Sequence, residues 1–383
     1  MTAWTEHGDE GGVLDGVRVL DLSIWRPGPY ATQLLSELGA EVIKIEPPGG
    51  DPMRIYGGLF DALHADKRSV ALDLKSPADR DRARALAAGA DVVVEGYRPG
   101  VADRLGMGYE DVRGVNPAVI YCSISGLGQD GPLADVPGHD LDYVAWSGAL
   151  APDGGPPVVP AVPVADLAGG MAAALAVCAA LVNRIRTGRG ERVDVAMAGV
   201  LATWTGGVAP EVTSDATGEG HGGRDGDGVT RGVPGYGTFA TADRGYVALG
   251  VLTEDHFWDA LCGTLGLREL VGLDFATRSG RLDELQARLA GAIAAQPRDE
   301  VVERLLAAGV PAAPVLDRRG MLSLPHLRAI EAVTTDPWSS EPAAGFPFRL
   351  ARHPARRRRR APHLDEHAGA TWAPRAHEAS GNT

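Results

Sequence analysis

Short β-branched runs alternate with helical patterns through the first half of the 383-residue chain. The strand-like runs lie at 17–22, 41–45, 69–74, 91–95, 118–125 and 192–197, and helical patterns occupy 30–38, 77–88 and 167–186. This alternation is typical of a parallel sheet with helices on its faces. The sequence therefore predicts an α/β fold whose larger domain is built on a parallel sheet.

The second half has a different organisation. Residues 206–237 are dense in Gly, Asp and Thr and have no apolar period, which predicts an exposed linker or mobile loop. A strand at 245–252 and helices at 255–265, 281–295 and 299–308 predict a smaller α+β domain, and the sequence turns Pro-rich and extended from about 325. The predicted division is a large domain (1–205), a Gly-rich linker (206–237), a small α+β domain (238–325) and a C-terminal segment (326–383) that returns to the large domain.

Composition excludes several classes of protein. Acidic residues outnumber basic ones by 50 to 37, a formal charge of −13, which argues against nucleic-acid and anionic-membrane partners. The three cysteines are far apart and no metal-ligand spacing occurs, so neither a disulfide framework nor a metal site is expected. The first 12 residues lack a signal-peptide pattern, and the apolar run at 167–182 is short for a bilayer span. A cytoplasmic protein is expected.

A glycine motif follows the strand predicted at 118–125. Gly126, Gly128 and Gly131 match the dinucleotide-binding pattern GxGxxG. Pro132 and Pro137 follow at once, so no helix is expected to open towards a pyrophosphate. A flexible Gly-rich loop is the better interpretation.

Two ionisable residues, His139 and Asp166, are candidates for proton transfer, and Glu254 is a third acid placed before a predicted helix. His139 lies in a Gly-His-Asp-x-x-Tyr segment, and an imidazole can hold or release a proton near neutral pH. Asp166 precedes the helix predicted from 167, and Glu254 precedes the helix predicted from 255. Each also has a purely structural interpretation: a loop histidine for His139, a helix N-cap for Asp166 and a first-turn acid for Glu254.

Basic residues follow or flank several predicted strands. Lys67, Arg68, Lys75, Arg98 and Arg104 lie near the edge where parallel sheets bind ligands, so a phosphate-rich ligand is one interpretation and solvated surface charge is the other. The run Arg356 to Arg360 is expected to be exposed and disordered, without an assigned function.

Several segments together resemble the family III CoA-transferases, and most closely their alpha-methylacyl-CoA racemase branch. The resemblance covers most of the chain and is least clear at 206–237. It is carried by residues 14–22, 28–30, 38–46, 67–69, 73–75, 98–101, 104–106, 116–117, 187–190 and 361–367.

The resemblance implies a Rossmann-like large domain, a small domain and an interlocked homodimer that binds acyl-CoA, with no cofactor beyond the coenzyme A of the substrate. It makes Asp166 the catalytic aspartate and His139 the second acid/base of the racemase branch, with Glu254 orienting the histidine. The implied coenzyme contacts are Leu72, Asp73, Leu74, Lys75, Gly96, Tyr97, Arg98, Arg104, Gly138, Asp140 and Tyr143.

Two departures from the family pattern bear on the substrate. Pro47 stands where a basic residue is common, so Lys44 or Arg54 is expected to bind the adenosine end instead. Trp25 and Arg26 replace smaller residues in a loop that lines the acyl pocket in the family, which implies an acyl group of altered size or polarity.

Three functions remain open from the sequence. The first is a racemase of 2-methylacyl-CoA or a related α-substituted thioester, in which His139 and Asp166 remove and return the α-proton through an enolate. The second is a CoA-transferase that moves CoA between carboxylic acids through an aspartyl-CoA thioester at Asp166. The third is a non-catalytic acyl-CoA-binding protein. His139 favours the first.

Overall fold

The computed structural model describes residues 11–150, 157–205 and 233–374. Its backbone divides into two compact units. The first contains the described residues of Met1–Leu150, Val158–Trp204 and Arg328–Thr383, and the second contains those of Ala151–Pro157 and Thr205–Leu327. The region 206–232 of the predicted linker lies outside the described residues.

The first unit is built on a six-stranded sheet. Its strands are β1 (Arg18–Asp21), β2 (Glu41–Glu46), β3 (Arg68–Ala71), β4 (Val92–Glu95), β5 (Ile120–Ser125) and β6 (Glu191–Ala196). They lie in the order β3-β2-β1-β4-β5-β6 and every neighbouring pair is parallel. This is the order of a doubly wound dinucleotide-binding sheet, so the predicted Rossmann-like α/β fold is confirmed.

Helices cover both faces of this sheet. They are α1 (Pro27–Glu37), α2 (Gly58–His64), α3 (Pro77–Ala88), α4 (Val101–Arg104), α5 (Tyr109–Val115), α6 (Asp140–Trp146), α7 (Val164–Thr187) and α8 (Met197–Thr205). Successive strand side chains point to opposite faces, so Val19 and Val94 join the core beneath α1 and α7, whereas Leu20 and Val93 join the core beneath α3. Burial on both faces explains the continuous apolar runs in the sequence.

The long helix α7 extends beyond the 16 apolar residues visible in the sequence. It has 24 residues, and among the described helices it is the one long and apolar enough to meet the minimum for a membrane span. Ala168, Ala173 and Val177 are nonetheless buried in the core shared with α1. On its outer side, Leu175 and Ile185 remain 72% and 85% exposed.

The second unit is α+β, as predicted. Its antiparallel sheet has three strands that pair in chain order, and Trp258, Leu285 and Leu305 are fully buried in its core. The strands are β7 (Tyr236–Ala240), β8 (Tyr246–Gly250) and β9 (Ala312–Pro314), and the helices are α9 (Asp255–Leu265), α10 (Phe275–Ser279), α11 (Leu282–Ala294), α12 (Arg298–Ala307) and α13 (Arg318–Ser323). Because Tyr236 and Gly237 belong to β7, the predicted linker extended too far.

The C-terminal segment is more structured than the sequence indicated. After α14 (Pro325–Ala329) it forms a hairpin of β10 (Val333–Thr335) and β11 (Pro342–Ala344), and then lies against the first unit. The backbone N–H of Asp365 donates to Ser69 Oγ at 3.1 Å. The expected disorder of the basic run is wrong, because Arg357 pairs with Glu37 at 2.8 Å.

Candidate active site

A cavity of about 820 Å³ lies in the first unit, beyond the carboxyl ends of β1, β4 and β5. Its lining includes residues 24–27 after β1, residues 96–99 after β4, and Ser125 at the end of β5 with residues 126–127 after it. Within the sheet, β2 lies on one side of β1 and β4 lies on the other, so the strand order reverses at β1. The cavity therefore occupies the topological switch point where doubly wound sheets bind ligands.

Asp166 lines this cavity from the first turn of α7. The predicted N-cap role is wrong, since the helix begins at Val164 with Pro163 at the N-cap position. Proline has no N–H to lose and its fixed φ suits a helix entrance. The backbone N–H of Asp166 donates instead to Asp140 Oδ1 at 3.0 Å, which satisfies one of the free donors of the helix N-terminus.

The surroundings of Asp166 change its proton affinity. Burial raises the pKa of the carboxyl group to about 6, and the charge of Asp140 acts in the same direction. The charges of Arg26 and His139 oppose this shift. At neutral pH the group is therefore an ionised, partly buried carboxylate of unusually high basicity.

Asp140→Asn is expected to extend activity to lower pH. Loss of the Asp140 charge lowers the pKa of Asp166, while the amide oxygen of Asn can still accept the hydrogen bond from the Asp166 N–H. The acid limb of the kcat/KM profile, which we expect at about pH 6 in the wild type, should move down in pH. An unmoved limb, or one at higher pH, would contradict this electrostatic role of Asp140.

His139 lines the same cavity as Asp166. It precedes α6 in an extended conformation, and its backbone N–H donates to Asp142 Oδ2 at 2.8 Å. The imidazole lies edge-to-face with Trp25, with ring centroids 6.2 Å apart. The imidazole and the carboxylate that the sequence suggested as a pair thus face a shared space.

Gly138 and Tyr143 brace the entrance to α6. The Tyr143 hydroxyl donates to the carbonyl oxygen of Gly138 at 2.6 Å. The tyrosine ring also lies close over Gly126, where a Cβ would come within 2.0 Å of the ring. The Gly126 of the GxGxxG match therefore admits Tyr143, and no helix follows that motif towards a phosphate group.

The loop after β1 holds Trp25 in a left-handed backbone conformation, with φ of 64°. Such a conformation is rare for a bulky side chain and requires support from its surroundings. The Trp25 N–H approaches Asp51 Oδ1 at 3.4 Å, and Lys44 Nζ donates to the carbonyl oxygen of Ser23 at 2.6 Å. Lys44 and Asp51 also form an ion pair at 2.9 Å with no exposed side-chain surface.

This arrangement overturns one expectation for the adenosine end of a coenzyme. Lys44 is fully buried and supports the loop after β1, so it cannot bind a solvent-side ligand. Arg54 is held by Glu46 and by the carbonyl oxygen of Pro362, and it stacks over Phe60. Both basic residues are engaged in internal contacts.

Lys67 belongs to a second buried network, beneath the start of α1. Its ammonium group donates to Asp21 Oδ2 at 3.1 Å, to Thr32 Oγ1 at 2.7 Å and to the carbonyl oxygen of Pro29 at 2.9 Å. The interpretation of Lys67 as part of a basic surface patch is therefore wrong.

The predicted coenzyme residues fall into two groups. Those that line the cavity are Gly96, Tyr97, Arg98, Gly138, Asp140 and Tyr143. Those outside its lining are Leu72, Asp73, Leu74, Lys75 and Arg104, where the two leucine side chains are buried in the sheet core and the other three residues are exposed. All of the second group follow β3 or end α4, near the carboxyl edge of the sheet.

Glu254 lies in the second unit, at the N-cap position of α9, which begins at Asp255 as predicted. Its Oε2 atom is buried and has no hydrogen-bond partner among the described residues. Its role in orienting His139 stays a prediction.

Sequence reasoning missed two carboxyl groups near the cavity. Asp51 supports the Trp25 loop, as described above. Glu95 ends β4, where burial raises its pKa to about 7 and its Oε2 accepts the Tyr97 N–H at 2.8 Å. The signal for Glu95 was an acid directly after three buried valines, and for Asp51 it was an acid before a proline at a helix start.

Residues 14–368 match the sequence profile of CoA-transferase family III, so the chain belongs to that family. It is 36% identical over 335 residues to the acetyl-CoA:oxalate CoA-transferase of Acetobacter aceti, covering 83% of this chain and 84% of that protein. It is 33% identical over 381 residues to the succinyl-CoA:mesaconate CoA-transferase of Haloarcula hispanica, covering 93% and 94%. The succinyl-CoA:glutarate CoA-transferase of Mus musculus is 35% identical over 327 residues, covering 81% and 73%.

Solved structures agree with this assignment. Rv3272 of Mycobacterium tuberculosis superimposes with a TM-score of 0.82 at 30% identity, covering 94% of this chain and 99% of that one. A CaiB/BaiF family protein of Brucella suis gives a TM-score of 0.80 at 29% identity, covering 94% and 98%. The three curated relatives named above are CoA-transferases, and their names give no support to the racemase interpretation.

Proposed function

We propose that this enzyme is a CoA-transferase that moves CoA between two carboxylic acids through Asp166. The observation that carries the proposal is a partly buried carboxylate facing a cavity at the switch point of a doubly wound sheet. The transferase names of relatives 33–36% identical to this chain support it as well. It is the second of the functions that the sequence left open.

The proposed reaction balances without any other reactant. The Asp166 carboxylate attacks the thioester carbonyl carbon, and the CoA thiolate leaves to give a mixed anhydride. The thiolate then attacks the aspartyl carbonyl carbon, which releases the first acid as a carboxylate and forms an aspartyl-CoA thioester. The second acid repeats the two steps in reverse, so that its own thioester departs and the Asp166 carboxylate is regenerated.

The site has properties that suit a carboxylate nucleophile. Burial keeps the basicity of Asp166 high, since its pKa is about 6, and yet the group is ionised at neutral pH. The Arg26 charge favours that ionised form. The cavity residues Gly96, Tyr97, Arg98, Gly138, Asp140 and Tyr143 are proposed to contact the coenzyme, with Leu72 to Lys75 and Arg104 nearer its nucleotide end.

The proposal is tested by trapping the intermediate. The enzyme is incubated with an acyl-CoA, treated with hydroxylamine and digested, and the peptide with Asp166 is examined by mass spectrometry. We expect a hydroxamate on Asp166 that depends on acyl-CoA. Its absence, together with deuterium wash-in from D2O at the α-carbon of a 2-methylacyl-CoA, would refute the transferase and favour the racemase.

The racemase stays the second candidate because His139 and Asp166 line one cavity. Two-base proton exchange at an α-carbon needs both groups, whereas the transferase needs only the carboxylate. We therefore expect His139→Gln to reduce CoA transfer by less than about tenfold, because this reaction does not require the imidazole. Removal of a required general acid or base would typically cost about 10²–10⁴-fold. A loss of about 100-fold or more in this variant would contradict a purely auxiliary role for the imidazole.

We also propose that the enzyme is a homodimer, as the family resemblance implies. The exposed apolar side chains of Met171, Leu175, Val182 and Ile185 along α7 support a covered surface there. Light scattering on the purified protein should give twice the 39.9 kDa mass of one chain. A monomeric mass across the working concentration range would refute this proposal.

A further inference from the structure

Arg26 is a cation in the lining of the candidate active site. Its side chain lines the cavity and is half-buried. The guanidinium group makes no hydrogen bond or ion pair with any other residue that the structure describes. A partly buried guanidinium group loses hydration, and it usually regains that free energy from a carboxylate or phosphate group.

The position of Arg26 is fixed by its backbone. It occupies the N-cap position of α1, between the strained Trp25 and Pro27, and its carbonyl oxygen accepts the Tyr30 N–H at 2.9 Å. The buried pair of Lys44 and Asp51 supports the same loop. The guanidinium group is therefore presented to the cavity from a rigid element, which suits selective recognition.

Among the described residues, two arginines line the cavity, Arg26 and Arg98, and each influences a different titratable group. The Arg26 charge lowers the pKa of Asp166, whereas the Arg98 charge lowers the pKa of Tyr143. Arg98 also belongs to the segment after β4 that is proposed to contact the coenzyme. Arg26 is thus the permanent cation associated with the reacting carboxyl group.

The charge balance changes during the proposed reaction. When Asp166 is acylated it loses its negative charge, and Arg26 then loses the anion that it favours in the free enzyme. A substrate that carries a second carboxylate group would restore a counterion at that stage. A monocarboxylic acid would leave the cation uncompensated.

We propose that Arg26 binds the non-reacting carboxylate group of the acid, so that the enzyme is selective for dicarboxylic acids and their CoA monothioesters. This inference rests on the transferase function proposed above. The fork of guanidinium N–H donors matches a carboxylate in two parallel hydrogen bonds. Oxalate, glutarate and mesaconate, which appear in the names of relatives, each carry two carboxylate groups.

The test compares acids of equal carbon number with one or two carboxylate groups, for example glutarate against valerate and succinate against butyrate. Acetyl-CoA and succinyl-CoA serve as donors. The enzymes are the wild type, Arg26→Gln, Arg26→Lys and, as a control, Arg113→Gln, which removes an exposed arginine of α5 that pairs with Glu110. Initial rates give kcat/KM for each acid.

We expect the wild type to prefer the diacid by about 100-fold or more, since loss of one partner of a desolvated charge pair costs about that much affinity. Arg26→Gln should lose this preference through its rate with the diacid, Arg26→Lys should keep part of it, and Arg113→Gln should match the wild type.

Equal wild-type rates with both acid classes, while transfer and the Asp166 hydroxamate persist, would overturn the inference alone. An equal loss with both classes in Arg26→Gln would assign Arg26 to Asp166 only. No transfer to any acid and no hydroxamate would overturn both proposals.

Discussion

Asp166→Asn is expected to reduce CoA transfer by more than about 10⁴-fold, as removal of a covalent nucleophile does in other enzymes. An amide cannot form the anhydride or the aspartyl-CoA thioester, although it has nearly the shape of the carboxylate. The measurement is the initial rate at saturating concentrations of both substrates, with hydroxylamine trapping on the same samples. The hydroxamate should be absent from the variant.

The same substitution should leave the fold at least as stable at neutral pH. Because the pKa of Asp166 is raised to about 6 in the folded protein, ionisation at higher pH disfavours the folded state. The neutral amide avoids that ionisation, so the Tm at pH 7 should equal or exceed that of the wild type. Asp130→Asn, which changes an exposed acid outside the cavity lining, is the matched control. If Asp166→Asn kept about a tenth or more of the wild-type rate, a loss of only about 1.4 kcal/mol in transition-state stabilisation, the covalent mechanism would be excluded.

Lys67→Met is expected to destabilise the protein by about 3–5 kcal/mol, the usual cost of removing one partner from a buried ion pair. Burial opposes the ionisation of Asp21, yet Lys44, Lys67 and two hydroxyl groups outweigh burial and hold its pKa well below the ordinary range. Burial also lowers the pKa of Lys67 to about 8, against the charge of Asp21, so that the amine stays protonated at neutral pH. The methionine leaves a buried carboxylate with less compensation.

Urea unfolding followed by circular dichroism measures this loss. Lys75→Met, which replaces an exposed lysine, is the matched control and should change stability little. The double variant Asp21→Asn/Lys67→Met should be less destabilised than the sum of its single variants, because both charges are gone. Since the pKa of Asp21 is lowered in the folded state, its contribution is present above pH 4 or so and is lost as the solution is acidified further. A Lys67→Met midpoint equal to that of the wild type would disprove the ion-pair assignment.

Much of the sheet could be predicted from the sequence because its strands are short apolar runs separated by helical patterns. The bounds of α3 and α9 were predicted to the residue, since a proline or an acid marks each start and a glycine follows each end. The start of α7 was missed by three residues, because its first turn is capped by Asp140, 26 positions away in sequence.

The buried charges could not be predicted in the same way. Lys44 stands between two isoleucines in β2, but a strand covered on both faces has no polar side on which a lysine would be expected. A basic residue near the carboxyl edge of the sheet therefore suggested a ligand contact for Lys44 and for Lys67. Lys67 is buried against Asp21, 46 positions away, and Lys44 against Asp51, which follows the end of β2, and no periodic pattern in the sequence connects either pair.

The loop after β1 is fastened through main-chain atoms, by the carbonyl of Ser23 and the amide of Trp25. These contacts do not involve the side chains of residues 25 and 26, so the two positions can change in sequence without loss of the contacts. Substitutions at these two positions would then change the acid that the proposed Arg26 contact selects, while Asp166, the proposed nucleophile on α7, is unchanged. Because substrate selection and the proposed nucleophile lie on different elements, substrate preference can evolve on this fold independently of the reaction chemistry.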